Sequence, residues 1–273
     1  MDLSIIIVNY HSRDKLLNCL SSLRQAEMVD VKYEIIVVDN NSGDELDKVN
    51  EDYSTVQMIK NPVNKGMGGG NNIGLAIAQG EYVLILNPDT VVQGRAIPEL
   101  LSYLKSHPTV GLIGPKLLYP DGALQMSCSR FPSFFMPILR RTFIGDYFKT
   151  SRDSFTMQEF NHNSLRSVDW LMGSCLMFKK EIKLSDNRAW SPHFDERYFM
   201  YFEDTDLARQ FWKNGLSVVY NPTAIVIHDH RRASARHPWY LAIFLDIITW
   251  HHIISWLKYF IKWSFKTKNY VKN

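Results

Sequence analysis

Residues 82–90, YVLILNPDT, constrain this chain more than any other stretch. Residues 82–86 form an unbroken apolar run that suits a strand buried on both faces, as in a parallel sheet covered by helices. Asn87-Pro88-Asp89 ends the run, because proline donates nothing to a ladder. An amide and a carboxylate are then presented at the carboxyl end of a central strand, where open α/β sheets bind ligands. A carboxylate spaced one residue from another oxygen donor suits a hard divalent cation shared with substrate phosphates. Asn, Pro and Asp are also ordinary turn formers. Alone, the stretch reads equally as a strand-ending turn, and the rest of the chain decides.

The flanking pattern supplies the sheet. Residues 3–8 (LSIIIV), 33–38 (YEIIVV) and 55–59 are predicted strands that precede it, and residues 110–113 one that follows. Leu16, Leu17, Leu20 and Leu23 recur at helical spacing behind Ser12, a suitable N-cap. A polar helix is predicted up to about Asp52, another from after Asn72 to Gln79, and a third over residues 97–105. Strand-helix alternation of this kind implies a mostly parallel α/β sheet with helices on its faces. Residues 120–168 carry turns, an aromatic and basic stretch and a polar loop, and no regular structure is assigned to the loop. A helix from Glu203 to Asn214 with Gly215 as its C′ residue, and strands over 216–220 and 224–228, complete the reading.

The 273 residues, 45% hydrophobic and 22% charged, are enough for one large globular domain with an appendage. A net charge of +3 gives no reason to expect nucleic acid. Cys19, Cys128 and Cys175 are odd in number, far apart and without metal spacing, which points to buried thiols in a reducing compartment. With Asp2 and a strand at once after it no signal peptide is expected, and with no apolar run of about 18 residues no spanning helix is expected.

Four constellations point to chemistry. Asp39 ends the second strand as Asp89 ends the fourth, so two carboxylates on one sheet edge can serve different parts of one ligand; a helix-capping or turn role is the alternative for Asp39. The glycine stretch Gly66, Gly68, Gly69, Gly70 fails the dinucleotide fingerprint, because Asn71 and Ile73 stand where a third glycine is needed. No G-K-[ST] follows, which leaves a flexible backbone that a ligand approaches before a helix N-terminus, or a mobile surface loop. Glu203 and Asp204 follow Phe199, Tyr201 and Phe202, whose rings could desolvate a carboxylate and raise its basicity, as a general base needs. Acids there also serve as helix-dipole partners. His228 ends an apolar strand; a lone strand-end histidine is more often structural than a ligand, but beside a carboxylate-held cation a neutral imidazole is a candidate further ligand.

The ordered set VNYHS, VVDNNS, NPVNKGMGGGNNIG, LNPDT, DWLMGSCLM, FDERYFMYFEDTDLARQF and VIHDH resembles a family 2 glycosyltransferase of the GT-A fold over about residues 3–232. LNPD and SRFPSFFMPILRRT resemble the rhamnosyltransferase branch. The family's metal motif is often D-x-D; here Asn87 takes the first position and removes one formal charge, as in rhamnosyltransferases. The resemblance implies a donor half over about 1–115, with Asp39 on the base or ribose and Asn9, Asn40, Asn64, Lys65, Gly66, Asn71 and Asn87 around it. It implies Mg2+ or Mn2+ on Asp89 and His228. An acceptor half over about 116–232 would carry Trp170, Gly173 and Arg130, with Asp204 as the base and Glu203 beside the acceptor. The implied reaction is inverting transfer of L-rhamnose from dTDP-rhamnose to an undecaprenyl-diphosphate-linked sugar of GlcNAc type, in O-antigen or other surface polysaccharide assembly. The alternatives are another donor, UDP-galactofuranose or a UDP-hexose, or a non-catalytic sugar-nucleotide or membrane-binding module. A nicotinamide oxidoreductase is disfavoured by the failed glycine fingerprint.

The remaining residues, 233–273, read as a basic amphipathic tail. His251, Ser255, Lys258, Lys262 and Lys266 fall on one side of a helix, Ile253, Ile254, Trp256, Leu257, Phe260, Ile261 and Trp263 occupy the rest, and no acid follows Asp246. Such a helix is expected to lie in an anionic membrane surface, placing the protein peripherally on the cytoplasmic face of a bacterial inner membrane. The alternative is a helix docked on the sheet with solvated lysines.

Overall fold

The computed structural model describes residues 1–46, 49, 52–53, 55–142, 144–229, 247–264 and 270. Its strands are β1 (Leu3–Asn9), β2 (Tyr33–Asp39), β3 (Val56–Lys60), β4 (Tyr82–Leu86), β5 (Thr90–Val92), β6 (Val110–Leu118) and β7 (Leu124–Gln125). They continue as β8 (Cys128–Ser129), β9 (Arg166–Ser167), β10 (Trp170–Leu171), β11 (Cys175–Lys179), β12 (Ile182–Lys183), β13 (Ala189–Trp190) and β14 (Ser217–His228). One ten-stranded sheet follows the order β3-β2-β1-β4-β11-β6-β14-β5, with β7 beside β6 and β9 beside β14. Strands β3, β2, β1, β4, β6 and β14 run one way, while β11 and β5 oppose them. The chain builds outward from β1 to β3 and then returns to place β4 on the other side of β1. The reversal opens a crevice at the carboxyl ends of β1 and β4, the usual ligand position in such sheets. The mostly parallel α/β class expected from the alternation is the class observed.

The core lies on both sheet faces. Ile5, Ile7, Val37, Leu84 and Leu86 face the helices Arg13–Gln25 and Ala96–Ser106. The alternate residues Ile6, Ile36, Val38, Val83 and Ile85 face the helices Gly66–Ile77 and Glu203–Lys213. Both sets are buried, which is why these strands read as unbroken apolar runs rather than as alternation. Each fully buried Ile or Leu contributes about 1.5–3 kcal/mol by leaving water. All three cysteines are free and buried, and burial pushes the Cys19 and Cys128 thiols up to about 12.

Several elements depart from the sequence expectation. The glycine stretch is neither a flexible approach nor a surface loop, because the helix begins at Gly66 and runs through it. A Cβ at Gly70 would lie 2.8 Å from Val8 Cγ1, and one at Gly74 2.5 Å from Ile6 Cγ2. These glycines let the helix backbone rest on β1, and tertiary packing overrides their poor helical propensity. Ser12 precedes its helix without a side-chain cap, since its hydroxyl donates to Tyr10 O (3.0 Å). The two strands expected after Gly215 are one, β14, whose register shifts between Asn221 and Ile225 and so accommodates Pro222. The middle segment adds short helices Met136–Arg141, Ile144–Tyr147 and Lys149–Phe155. The polar helix expected up to Asp52 falls largely outside the described residues.

The C-terminal helix Ile247–Lys262 docks on the protein. Tyr259 and Phe260 are buried in a third cluster with Tyr198 and Phe202. Its polar face turns inward: Ser255 Oγ donates to Met200 O (2.8 Å), Lys258 Nζ to Arg197 O (2.8 Å), and Lys262 Nζ pairs with Asp195 and Asp206 (2.7 Å each). The expectation that Lys258 and Lys262 lie in a membrane surface is thereby corrected, because the helix uses them to bind its own domain. Lys266, Lys268 and Lys272 lie outside the described residues. No described helix is long and apolar enough to cross a membrane.

Candidate active site

Strand ends assemble one side of the crevice. β1 ends at Asn9 and β2 at Asp39, which are paired in register. The Ser42 N–H and hydroxyl both donate to Asp39 Oδ1 (3.2 and 2.5 Å), so the turn role is real, but it occupies only one of the two carboxylate oxygens. Asn9 Nδ2 donates to Ser42 Oγ (3.2 Å) and Asp44 Oδ2 (2.9 Å). Asn40 is a clamp: its amide donates to Asn64 Oδ1 (2.8 Å) and Gly66 O (3.0 Å), while its Oδ1 accepts from Asn61 Nδ2 (2.9 Å) and the Lys65 N–H (3.1 Å). Asn40, Asn64 and Lys65 thus hold the loop that opens the glycine helix. Gly66 itself has φ +72°, and any Cβ there would collide with the Phe199 carbonyl. That close approach brings the segment before Glu203 against the loop that opens the glycine helix. Asn71 is buried without a protein partner for either amide atom, as is Asn9 Oδ1. Such atoms cost about 1–3 kcal/mol each unless a ligand or water takes them.

The LNPDT turn carries the acidic pole. Asn87 N–H donates to Ser174 O (2.8 Å), which joins the end of β4 to the turn containing Gly173. Asp89 Oδ1 lies 3.3 Å from His228 Nε2, and His228 Nδ1 donates to Gln125 Oε1 (2.7 Å). With Nδ1 held by Gln125, Nε2 points at the Asp89 carboxylate: it donates to Asp89 when the imidazole is protonated, and when neutral it can share a cation with that carboxylate. Burial alone would raise the Asp89 carboxyl, but His228 and the nearby Lys15 ammonium outweigh it and hold Asp89 below its ordinary value. Lys15 Nζ lies 3.8 Å from Asp89 Oδ2 and 3.1 Å from Asp229 Oδ2. Sequence reasoning missed Lys15, Gln125 and Asp229. The DH dipeptide after His228 was a signal for Asp229, whereas nothing local marks Gln125. Among the described residues no three His, Cys, Asp or Glu side chains converge on one point.

Glu203 and Asp204 open the helix Glu203–Lys213; Glu203 is buried and Asp204 partly buried. Tyr201 (φ +67°) and Phe202 (φ +68°) precede them in the left-handed region, a conformation costing bulky residues about 1–3 kcal/mol each and concentrated at functional sites. The two carboxylates are not equivalent. Asp204 Oδ2 accepts from the Gly173 N–H (2.9 Å) and Oδ1 from the Thr205 N–H (2.6 Å) and hydroxyl (3.2 Å). Glu203 Oε2 is buried without a partner. Burial and then the Asp204 charge push Glu203 up to about 8. Burial also raises Asp204, opposed by these donors. Three donors favour the charge on Asp204, so the pair at neutral pH is an ionised aspartate beside a protonated glutamic acid.

Gly173 touches Asp204, and Glu203 Cβ lies 3.6 Å from where a Gly68 Cβ would be, so carboxylate pair, glycine helix and β4 turn adjoin. Trp170 and Arg130 meet each other through a Trp170 Nε1 donation to Arg130 O (2.8 Å), and the Arg130 guanidinium lies 3.8 Å from Glu159. Both therefore support the wall formed by β8 and β10.

The profile described as Glycosyl transferase family 2 matches residues 4–169. An N-acetylglucosaminyl-diphospho-decaprenol L-rhamnosyltransferase of Mycobacterium tuberculosis is 29% identical over 253 residues, covering 86% of this chain and 78% of that one. Rhamnosyltransferase WbbL of Escherichia coli is 28% identical over 231 residues, covering 82% of each chain. The crystal structure of GalNAc-T7 with UDP, GalNAc and Mn2+ matches with a TM-score of 0.63 at 15% identity, over 85% of this chain and 44% of that longer one, a likeness of fold. The family's span takes in more than half of the sequence, including the crevice between β1 and β4 and the LNPDT turn: this chain belongs to glycosyl transferase family 2.

Proposed function

We propose that the protein is an inverting, divalent-cation-dependent transferase that moves L-rhamnose from dTDP-rhamnose to a GlcNAc-type sugar on undecaprenyl diphosphate, in surface polysaccharide assembly such as O-antigen. The observation that carries the sugar and acceptor is the likeness, over most of both chains, to two rhamnosyltransferases, one acting on a sugar linked to decaprenol diphosphate. The strand-end carboxylates and the Glu203–Asp204 pair support the chemistry. A soluble nucleotide donor and a lipid-linked acceptor meet at a membrane's cytoplasmic face, where a peripheral enzyme reaches both.

Residues 1–115 form the donor half in this reading and residues 116–232 the acceptor half. Asp39 accepts from the base or ribose through the oxygen Ser42 leaves open, and Asn9 and Asn71 use their unpartnered amide atoms on the donor. Asp89 and His228 would hold Mg2+ or Mn2+, with Gln125 fixing the imidazole. When bound, the cation neutralises charge on the departing nucleoside diphosphate. Asp204 takes the proton of the acceptor hydroxyl, and that oxygen attacks the anomeric carbon as the bond to the diphosphate oxygen breaks on the opposite face. Gly173 N–H and Thr205 keep Asp204 oriented for this, and protonated Glu203 offers the acceptor a hydrogen bond without adding a second charge. Trp170 and Arg130 line the acceptor side.

The test is release of nucleoside diphosphate from dTDP-rhamnose, UDP-galactofuranose and UDP-hexoses, with Mg2+, Mn2+ or EDTA, and with lipid-diphosphate-GlcNAc as acceptor. Acceptor- and cation-dependent turnover confined to dTDP-rhamnose is expected. Turnover of a UDP-sugar instead overturns the donor, and donor binding without turnover on any acceptor favours a non-catalytic module.

A further inference from the structure

We infer that the protein docks on an anionic lipid bilayer through the apolar outer face of its C-terminal helix together with the neighbouring aromatic segment after Pro132. The inference rests on the lipid-linked acceptor proposed above for its choice of partner, and it uses the part of the apolar side that docking leaves exposed, without Lys258 and Lys262.

Ile247, Trp250, Ile254, Leu257 and Ile261 follow one another at intervals of three and four residues, which places them in one stripe along the helix. They are 72%, 49%, 43%, 42% and 68% exposed. The inward side of the same helix holds Ser255, Tyr259, Phe260 and the Lys262 ion pairs. A water-facing helix on a soluble surface shows the reverse distribution. The adjoining segment adds exposed apolar surface: Phe134 packs at a tilt against Trp256 (4.7 Å between ring centroids) and edge-on against Phe260 (5.2 Å), and Phe135, Ile138, Tyr147 and Phe148 beyond it are exposed. Contiguous apolar surface of this kind marks an interaction site.

Charge selects the partner. Exposed Arg140 and Lys149 border the aromatic segment. Apolar aromatic surface bordered by these two cations matches acyl chains beneath anionic headgroups. A second copy of the chain on a two-fold axis would bring the same cations together at its rim. The position also suits a lipid-borne acceptor. His252 packs on Tyr201 (4.9 Å) and Phe202 (5.6 Å), the two residues before Glu203. Lys262 and Trp263 Nε1 bind Asp206 on the catalytic helix. A bilayer against the outer face therefore lies beside the carboxylate pair.

Flotation of the full chain with vesicles of phosphatidylethanolamine and phosphatidylglycerol, compared with phosphatidylcholine alone, tests this. The wild type is expected to float with the anionic vesicles. Ile254→Glu with Leu257→Glu should lower the partition coefficient by about tenfold or more. So should Ile261→Glu, at a position exposed enough to leave folding intact. Both variants should still transfer sugar to a short-chain, water-soluble acceptor. Equal flotation of variants and wild type overturns the inference. So does a wild type that stays unbound, including one that elutes as a dimer which Ile261→Glu dissociates. The vesicles contain neither donor nor acceptor sugar, so a wrong donor assignment leaves this result unchanged.

Discussion

Replacing Glu203 with Gln should stabilise the unliganded protein, and more so as pH rises. The Glu203 carboxyl titrates near 4.5 when unfolded and near 8 in the folded protein, because burial and the Asp204 charge oppose its ionisation. Between those values the folded state holds a proton that the unfolded state has released, so stability falls with pH across that window and the loss is complete above it. Below pH 4.5 both states are protonated and Glu203 costs nothing. At about 1.36 kcal/mol per pH unit the loss is at most about 4.8 kcal/mol. Relaxation of the pair and water entering the cleft reduce this to about 2 kcal/mol, which for a chain of this length is about 5 °C in Tm. Gln keeps the shape of the protonated acid and cannot ionise. Thermal melts of wild type and Glu203→Gln at pH 5 and pH 8, without ligands, should therefore differ little at pH 5 and by several degrees at pH 8. A difference independent of pH, or a variant less stable at pH 8, would refute the assignment of the proton to Glu203.

Asp204→Asn should fold and bind donor but lose about a thousandfold in transfer rate, read as nucleoside diphosphate release, since a positioned base supplies about that much; near-normal turnover removes Asp204 from the base role. Gln125→Leu frees His228 Nδ1 and should weaken Mn2+ binding about 10- to 100-fold by calorimetric titration with nucleoside diphosphate present, with the melting curve little changed. Gly74→Ala forces the glycine helix away from Ile6 and should cost about 1–3 kcal/mol, seen as a lower urea midpoint; an unchanged midpoint would mean the helix rides free of β1.

The local sequence determined the frame. Apolar runs ended by Asp39 and by Asn87-Pro88-Asp89 put carboxylates at strand ends, and a buried strand with helical neighbours leaves few other arrangements. The ordered motifs did the same for the family. Tertiary structure decided what depends on distant partners. Gln125 sits 103 residues from the His228 it orients, and Lys15 reaches Asp89 from the first helix. The division of labour between Glu203 and Asp204 depends on the Gly173 and Thr205 N–H groups that reach only one of them. The glycine stretch that read as a loop became a helix, with Gly70 and Gly74 set against β1 and Gly66 against the Phe199 backbone, close approaches that only distant chain segments supply. The tail shows the limit most plainly. Periodicity marks two faces of a helix, but which one turns inward depends on the other surface. Here Asp195 and Asp206 draw Lys262 in and leave the isoleucines outside.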